Sequence, residues 1–199
     1  GRKIWFDDAV FRLNVDERGL YLGEFSADDK ILVVSKNGYF RTTGFDLSSH
    51  FEDNILIIEK FREGKVYSAV YWDAEQKFYY VKRFIVEESE KAQCFINEDP
   101  ESKLVSLTEV EYPRFEIEFG GKHKGRDNEI IEVAEFIAVK SYKAKGKRLT
   151  SFTVDNIHEI EPVVKKETPS VSEEEGENED EVSKHSDIKT DPAQMKLEL

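Results

Sequence analysis

Hydrophobic positions along the chain come in short runs separated by turn-forming residues, and the 3.6-residue period of a helix is almost nowhere seen. The clearest case is the stretch 30–45, KILVVSKNGYFRTTGF. Ile31, Leu32, Val33 and Val34 form an apolar, largely β-branched run, and Tyr39, Phe40, Thr42 and Thr43 begin another. Between them lies Lys36-Asn37-Gly38, and Asn-Gly is the dipeptide that most readily supplies the positive φ of a tight hairpin turn. A β-hairpin is predicted here. Residues 76–86 (QKFYYVKRFIV) and 135–150 (EFIAVKSYKAKGKRLT) repeat the order of apolar strand, Lys-bearing segment and further strand. The starts lie roughly 45 to 60 residues apart, in the range of propeller blades and other repeat folds.

The same pattern predicts strands at 4–8, 9–15, 20–25, 55–61, 66–72, 93–97, 104–108, 114–119 and 152–160, bounded by turn residues. Within 66–72, Val66, Ser68 and Val70 alternate with Tyr67, Ala69 and Tyr71 on the opposite face. Phe115, Ile117 and Phe119 face inward from 114–119, and Pro100 and Pro113 fall between strands, where proline belongs. Residues 130–136 fit either a strand or a helical turn. Residues 165–199 are rich in Glu, Ser, Asp and Pro and almost lack aromatics. Such a segment cannot bury enough apolar surface to offset its ordering entropy, and disorder is expected. The expected organisation is an all-β region over 1–164, with about three blades of antiparallel strands, followed by an acidic tail over 165–199.

Charge changes the picture by its placement. The formal net charge is -13, but residues 167–199 hold eleven of the 42 acids and only three of the 29 bases. Lys140, Lys143, Lys145, Lys147 and Arg148 form a dense basic run with no acid among them, and Lys122, Lys124 and Arg126 form a second cluster. The single cysteine, Cys94, rules out an internal disulfide, fits a reducing compartment and reads as a small buried hydrophobe. No apolar run approaches the roughly 18 residues of a membrane span. The first residue is Gly1 and not Met, so a fragment of a longer chain is expected.

Enzyme signatures are missing: there is no phosphate-cradling GxxxxGKS loop, GxGxxG, HExxH or GxSxG. His50, His123, His158 and His185 are scattered, and Asp7-Asp8 and Asp28-Asp29 sit at strand ends, where acidic turn residues are common. No catalytic or metal-binding residue is assigned. The basic run at 143–148 falls on the repeating hairpin position. Lys and Arg spaced along a rim are what phosphate-backbone binding needs, since such a surface reads charge density and not base edges.

The phrases RKIWFDDAVFRLN, ILVVSKNGYFRTT, KFYYVKRF and EFIAVKSYKAKGKRLT resemble the C-terminal repeat domain of bacterial type IIA topoisomerase A subunits, nearest to topoisomerase IV of the Bacteroides-like kind. The resemblance covers residues 2–162 and implies a β-pinwheel, a propeller-like array of blades that binds or wraps duplex DNA on a basic outer rim. The residues it points to are Lys36, Arg41, Lys82, Arg83, Lys122, Lys124, Arg126, Lys140, Lys143, Lys145, Lys147 and Arg148. It also implies that the cleavage tyrosine lies elsewhere in the A subunit, that a separate B subunit is the ATPase, and that ATP and Mg²⁺ serve the holoenzyme, not this region. A cytoplasmic, nucleoid-associated location follows. The gyrase box, Gln-Arg-Arg-Gly-Gly-Lys-Gly, is absent and KAKGKR is a degenerate relative, which favours a decatenase and relaxer over a supercoiling gyrase. A different class of function stays open: a protein-interaction propeller or histone-chaperone-like module working through its acidic tail.

Overall fold

The computed structural model describes residues 1–163, and the expected disordered tail at 165–199 lies outside the described residues. Four strand-rich units follow one another along the chain. The first holds β1 (Arg2–Asp7), β2 (Arg12–Asn14) and β3 (Leu20–Phe25). β4 (Ile31–Ser35), β5 (Tyr39–Thr43) and β6 (Ile55–Lys60) make the second. The third comprises β7 (Tyr67–Asp73), β8 (Phe78–Ile85), the two-residue β9 (Gln93–Cys94) and β10 (Lys103–Thr108). In the fourth are β11 (Arg114–Phe119), β12 (Glu129–Glu132), the one-turn helix α1 (Val133–Phe136), β13 (Val139–Ser141), β14 (Lys147–Arg148) and β15 (Val154–Ile160).

One wiring recurs. The first strand of each unit pairs antiparallel with the second, and the last strand returns to the free side of the first: β2-β1-β3, β5-β4-β6, β8-β7-β10 and β12-β11-β15. The connection before the last strand reaches back to the preceding unit. There β9 pairs with β5, while β13 (parallel) and β14 (antiparallel) both pair with β8. In the second unit a single bridge from His50 meets Arg12 of β2.

Side-chain burial explains why the inner strands read as continuous apolar runs. Ile31 and Val33 of β4 pack with Ile4, Phe6, Phe25 and Phe51, whereas Leu32 and Val34 point the other way, into a core with Phe40, Tyr67 and Phe84. A third core joins Val70 and Val81 to Phe115, Ile117 and Leu149. Each sheet therefore stacks face to face on the next in chain order, and the middle sheets are apolar on both faces. Burying each such side chain contributes roughly 1.5–3 kcal/mol.

The hairpin predicted at 30–45 forms, closed by a bond from the Gly38 amide to the Ser35 carbonyl at 3.1 Å. Gly38 alone takes the positive φ, +87°, and a Cβ there would fall 2.5 Å from Ile96 Cδ1. The other two copies are not hairpins. Residues 76–86 are mostly the single strand β8, and Lys82-Arg83 lies within it; the turn comes earlier, where the buried Asp73 carboxylate accepts the amides of Glu75 and Gln76. Residues 135–150 supply part of α1 together with β13 and β14, which pair with β8 and not with each other. Alternation in 66–72 does not divide a wet face from a dry one, because β7 lies in a middle sheet and is buried on both. Residues 130–136 take both expected forms, β12 and then α1. The repeating hairpin phrase marks three places, while the described residues form four sheets; the Arg2–Phe25 sheet is built without that phrase.

Candidate nucleic-acid interface

The densest basic surface is carried by the fourth unit's connection where it crosses the third sheet. Lys147 and Arg148 form β14, opposite Val81 and Tyr80, and both are exposed, as are Lys140, Lys143 and Lys145. The backbone of this segment is fixed from below. Tyr71 donates its hydroxyl to the Lys145 carbonyl at 2.6 Å, and the Leu149 amide bonds to the Tyr79 carbonyl at 2.8 Å. Gly146 provides the close approach: at φ +94° it lies so near β8 that a Cβ would fall 2.4 Å from the Val81 carbonyl oxygen.

The cationic heads rest on aromatic rings. Arg148 lies 3.7 Å from the Phe78 ring centre, Lys147 4.0 Å from that of Phe136, Lys145 5.7 Å from that of Tyr80 and Lys143 5.8 Å from that of Tyr142. Stacking on a ring orders a long side chain without neutralising it, so the charge stays available to an anion. Lys145 has a carboxylate neighbour too, Asp73 at 4.0 Å.

The second cluster is built on the β11–β12 connection. A 3-10 turn, Gly121–His123, sets Lys122 and Lys124 outward, and His123 Nδ1 accepts the Thr153 amide at 2.9 Å. Arg126 lies 3.6 Å from the Phe152 ring centre. Phe152 and Phe78 line one cleft of about 310 Å³, together with Trp72, Tyr79 and Lys77. Arg126 and Arg148 thus stack on rings that line the same cleft, and two clusters distant in sequence belong to one surface. Sequence reasoning missed Lys77 and these aromatics. A lone lysine at a turn, Trp72 on β7, Phe78 and Tyr79 on β8 and Phe152 ahead of β15 carry no spacing signal that unites them.

The remaining candidates divide. Lys36 is exposed on the β4–β5 turn, and half-buried Arg41 lines a separate cleft with Tyr39 and Glu52, its guanidinium 5.7 Å from the Phe51 ring centre. Lys82 and Arg83 are inside the protein, 1% and 5% exposed, and cannot meet a duplex without unfolding. Lys82 Nζ donates to the carbonyls of Phe95 and Tyr142, both at 2.7 Å, and Arg83 Nη1 donates to the Ile137 carbonyl at 3.1 Å. All three acceptors sit in the backward-reaching connections. These two cations hold the crossovers down.

Burial pushes the half-buried Cys94 thiol up, away from the thiolate form a nucleophile needs. Among the described residues no group of three or more His, Cys, Asp or Glu side chains could hold a metal ion, and no helix is long and apolar enough to cross a membrane.

A family model described as the topoisomerase C-terminal domain of Bacteroidota matches residues 12–161. No curated protein matches the chain.

Proposed function

Because the chain belongs to the family of Bacteroidota topoisomerase C-terminal domains, we propose that it is the duplex-binding part of a type IIA topoisomerase A subunit, of the topoisomerase IV kind. On this reading the stacked sheets are blades of a β-pinwheel. The domain holds and bends a DNA segment while the rest of the A subunit and an ATPase B subunit, using ATP and Mg²⁺, carry out strand passage, decatenation and relaxation. The setting is the bacterial cytoplasm, at the nucleoid. The reading is carried by one observation: two basic clusters, with arginines stacked on rings of a shared cleft, border a single surface of the third and fourth sheets.

A surface of this kind recognises the phosphate backbone, so affinity is set by counterion release and falls steeply with salt. Replacing Lys143, Lys145, Lys147 and Arg148 together by Ala is expected to weaken duplex binding about tenfold or more at low salt. The slope of log affinity against log salt should flatten by up to about 3.6, each of the four lost phosphate contacts contributing about 0.9. The melting temperature should hardly move, since exposed lysines add little to folding. A quadruple variant that binds a linear duplex as tightly, with the same salt slope, would place the contact surface elsewhere.

A further inference from the structure

The strand β7 lies inside the stack and buries every side chain but one, that of Trp72. Next to it, Phe78 and Tyr79 at the start of β8 are only half-buried, and Phe152 is 36% exposed. These four rings line the cleft of about 310 Å³ that the two basic clusters border. We propose that this cleft takes a single unpaired nucleobase, so that the surface holds single-stranded as well as duplex DNA.

The lining chooses the ligand. Phosphate needs cations, and Arg126, Arg148 and the exposed Lys77 supply them. It has no use for Trp72 and Tyr79. In an intact duplex the faces of each base are covered by its neighbours, so rings in a cleft gain nothing from it, whereas an unpaired base brings a bare π-face to stack. Trp72 and Tyr79 adjoin at 4.8 Å with their planes 60° apart, so neither ring caps the other in a parallel stack. The guanidinium groups on Phe78 and Phe152 are planar too, and bases stack on guanidinium as they do on rings. Thr150, Ser151 and Thr153 line the same cleft, and a hydroxyl both donates and accepts, which suits the edge of any base. Volume sets the limit. The cleft is at the small end of ligand pockets, which begin at roughly 300 Å³, and a single base fills it where a stacked pair does not enter.

The proposal rests on the reading of this surface as a phosphate binder and names a second ligand for it. Trp5→Phe in the full chain leaves Trp72 as the sole tryptophan, a reporter in the wall of the cleft. At low salt a short oligo(dT) should quench its fluorescence to saturation. It should also bind about fivefold or more tighter than an abasic oligonucleotide of the same length, which has the same phosphates and no bases. A blunt duplex should bind without the quenching, and Phe152→Ala should abolish the preference for oligo(dT) over the abasic strand. The comparison of ligands is made on one protein and needs no variant of the cleft to fold. Equal affinity for the two strands, or binding of oligo(dT) without quenching, overturns the base site alone while the duplex still binds. A chain that binds neither strand nor duplex overturns the phosphate-binding reading and the base site with it.

Discussion

Lys82 lies near the middle of an apolar strand with its ammonium enclosed, and the two carbonyls that receive it belong to two different connections. A buried charge persists only where polar partners replace the water it has lost. Lys82→Met keeps the length and most of the packing but removes the donors, leaving the carbonyls of Phe95 and Tyr142 without them. The expected loss is about 3 kcal/mol, read as a lower urea midpoint, while duplex affinity per folded molecule stays unchanged. A variant of full stability would mean that the carbonyls find other donors. Lys82-Arg83 and Lys36 look alike in the sequence, as cations between apolar runs. What separates them is the company they keep: the exposed lysines stand near Gly38 or Gly146, both at positive φ, and Lys82 has no glycine near it. The exposed residues of the 140–148 run were legible for that reason, and the inward pair was not.

The hairpin of β4 and β5 was legible because it is local: its turn residues and both strands lie within sixteen consecutive residues. β9, β13 and β14 could not be read in the same way. They are two or three residues long, and their partners lie 53 to 68 residues away in the preceding unit, a pairing that no short-range period encodes. Their dependence on a close backbone approach can be tested at Gly146. In Gly146→Ala the methyl group meets the Val81 carbonyl and Lys82 Cβ at a φ that L residues avoid, so β14 must lift from β8. The expected result is a stability loss of about 2 kcal/mol or more by denaturant titration. A fall in duplex affinity should accompany it, because Lys145, Lys147 and Arg148 move with the segment. Weakened stability with intact affinity would show that these side chains are not held in place by β14.

For the whole molecule, the all-β class and the acidic end were evident from composition and turn chemistry, while the stacking order was not, because it rests on which face each residue of β4 or β7 presents. The charge distribution leads to a prediction at this scale. Residues 167–199 carry a net charge of -8, three bases against eleven acids, tethered to a molecule whose basic surface lies on its third and fourth sheets. An acidic segment joined to the same chain would compete with phosphate at an effective concentration near millimolar. A chain stopped after Pro162 should bind duplex more tightly than the full chain, most visibly at low salt, where competition is least screened. A chain stopped after Pro192 keeps the acidic run and should bind like the full one. Equal affinity of all three at every salt concentration would remove the competition. The backward-reaching connections also have a consequence for the order of synthesis. On the ribosome, β5 is finished long before Gln93 and Cys94 exist to cover it, and β8 waits in turn for residues 139–148. Throughout elongation the nascent protein therefore presents an unpaired strand edge that moves along it unit by unit, the kind of edge on which chains aggregate. A chain released early, at residue 90, keeps its β5 edge bare and is expected to be recovered mainly in the insoluble fraction.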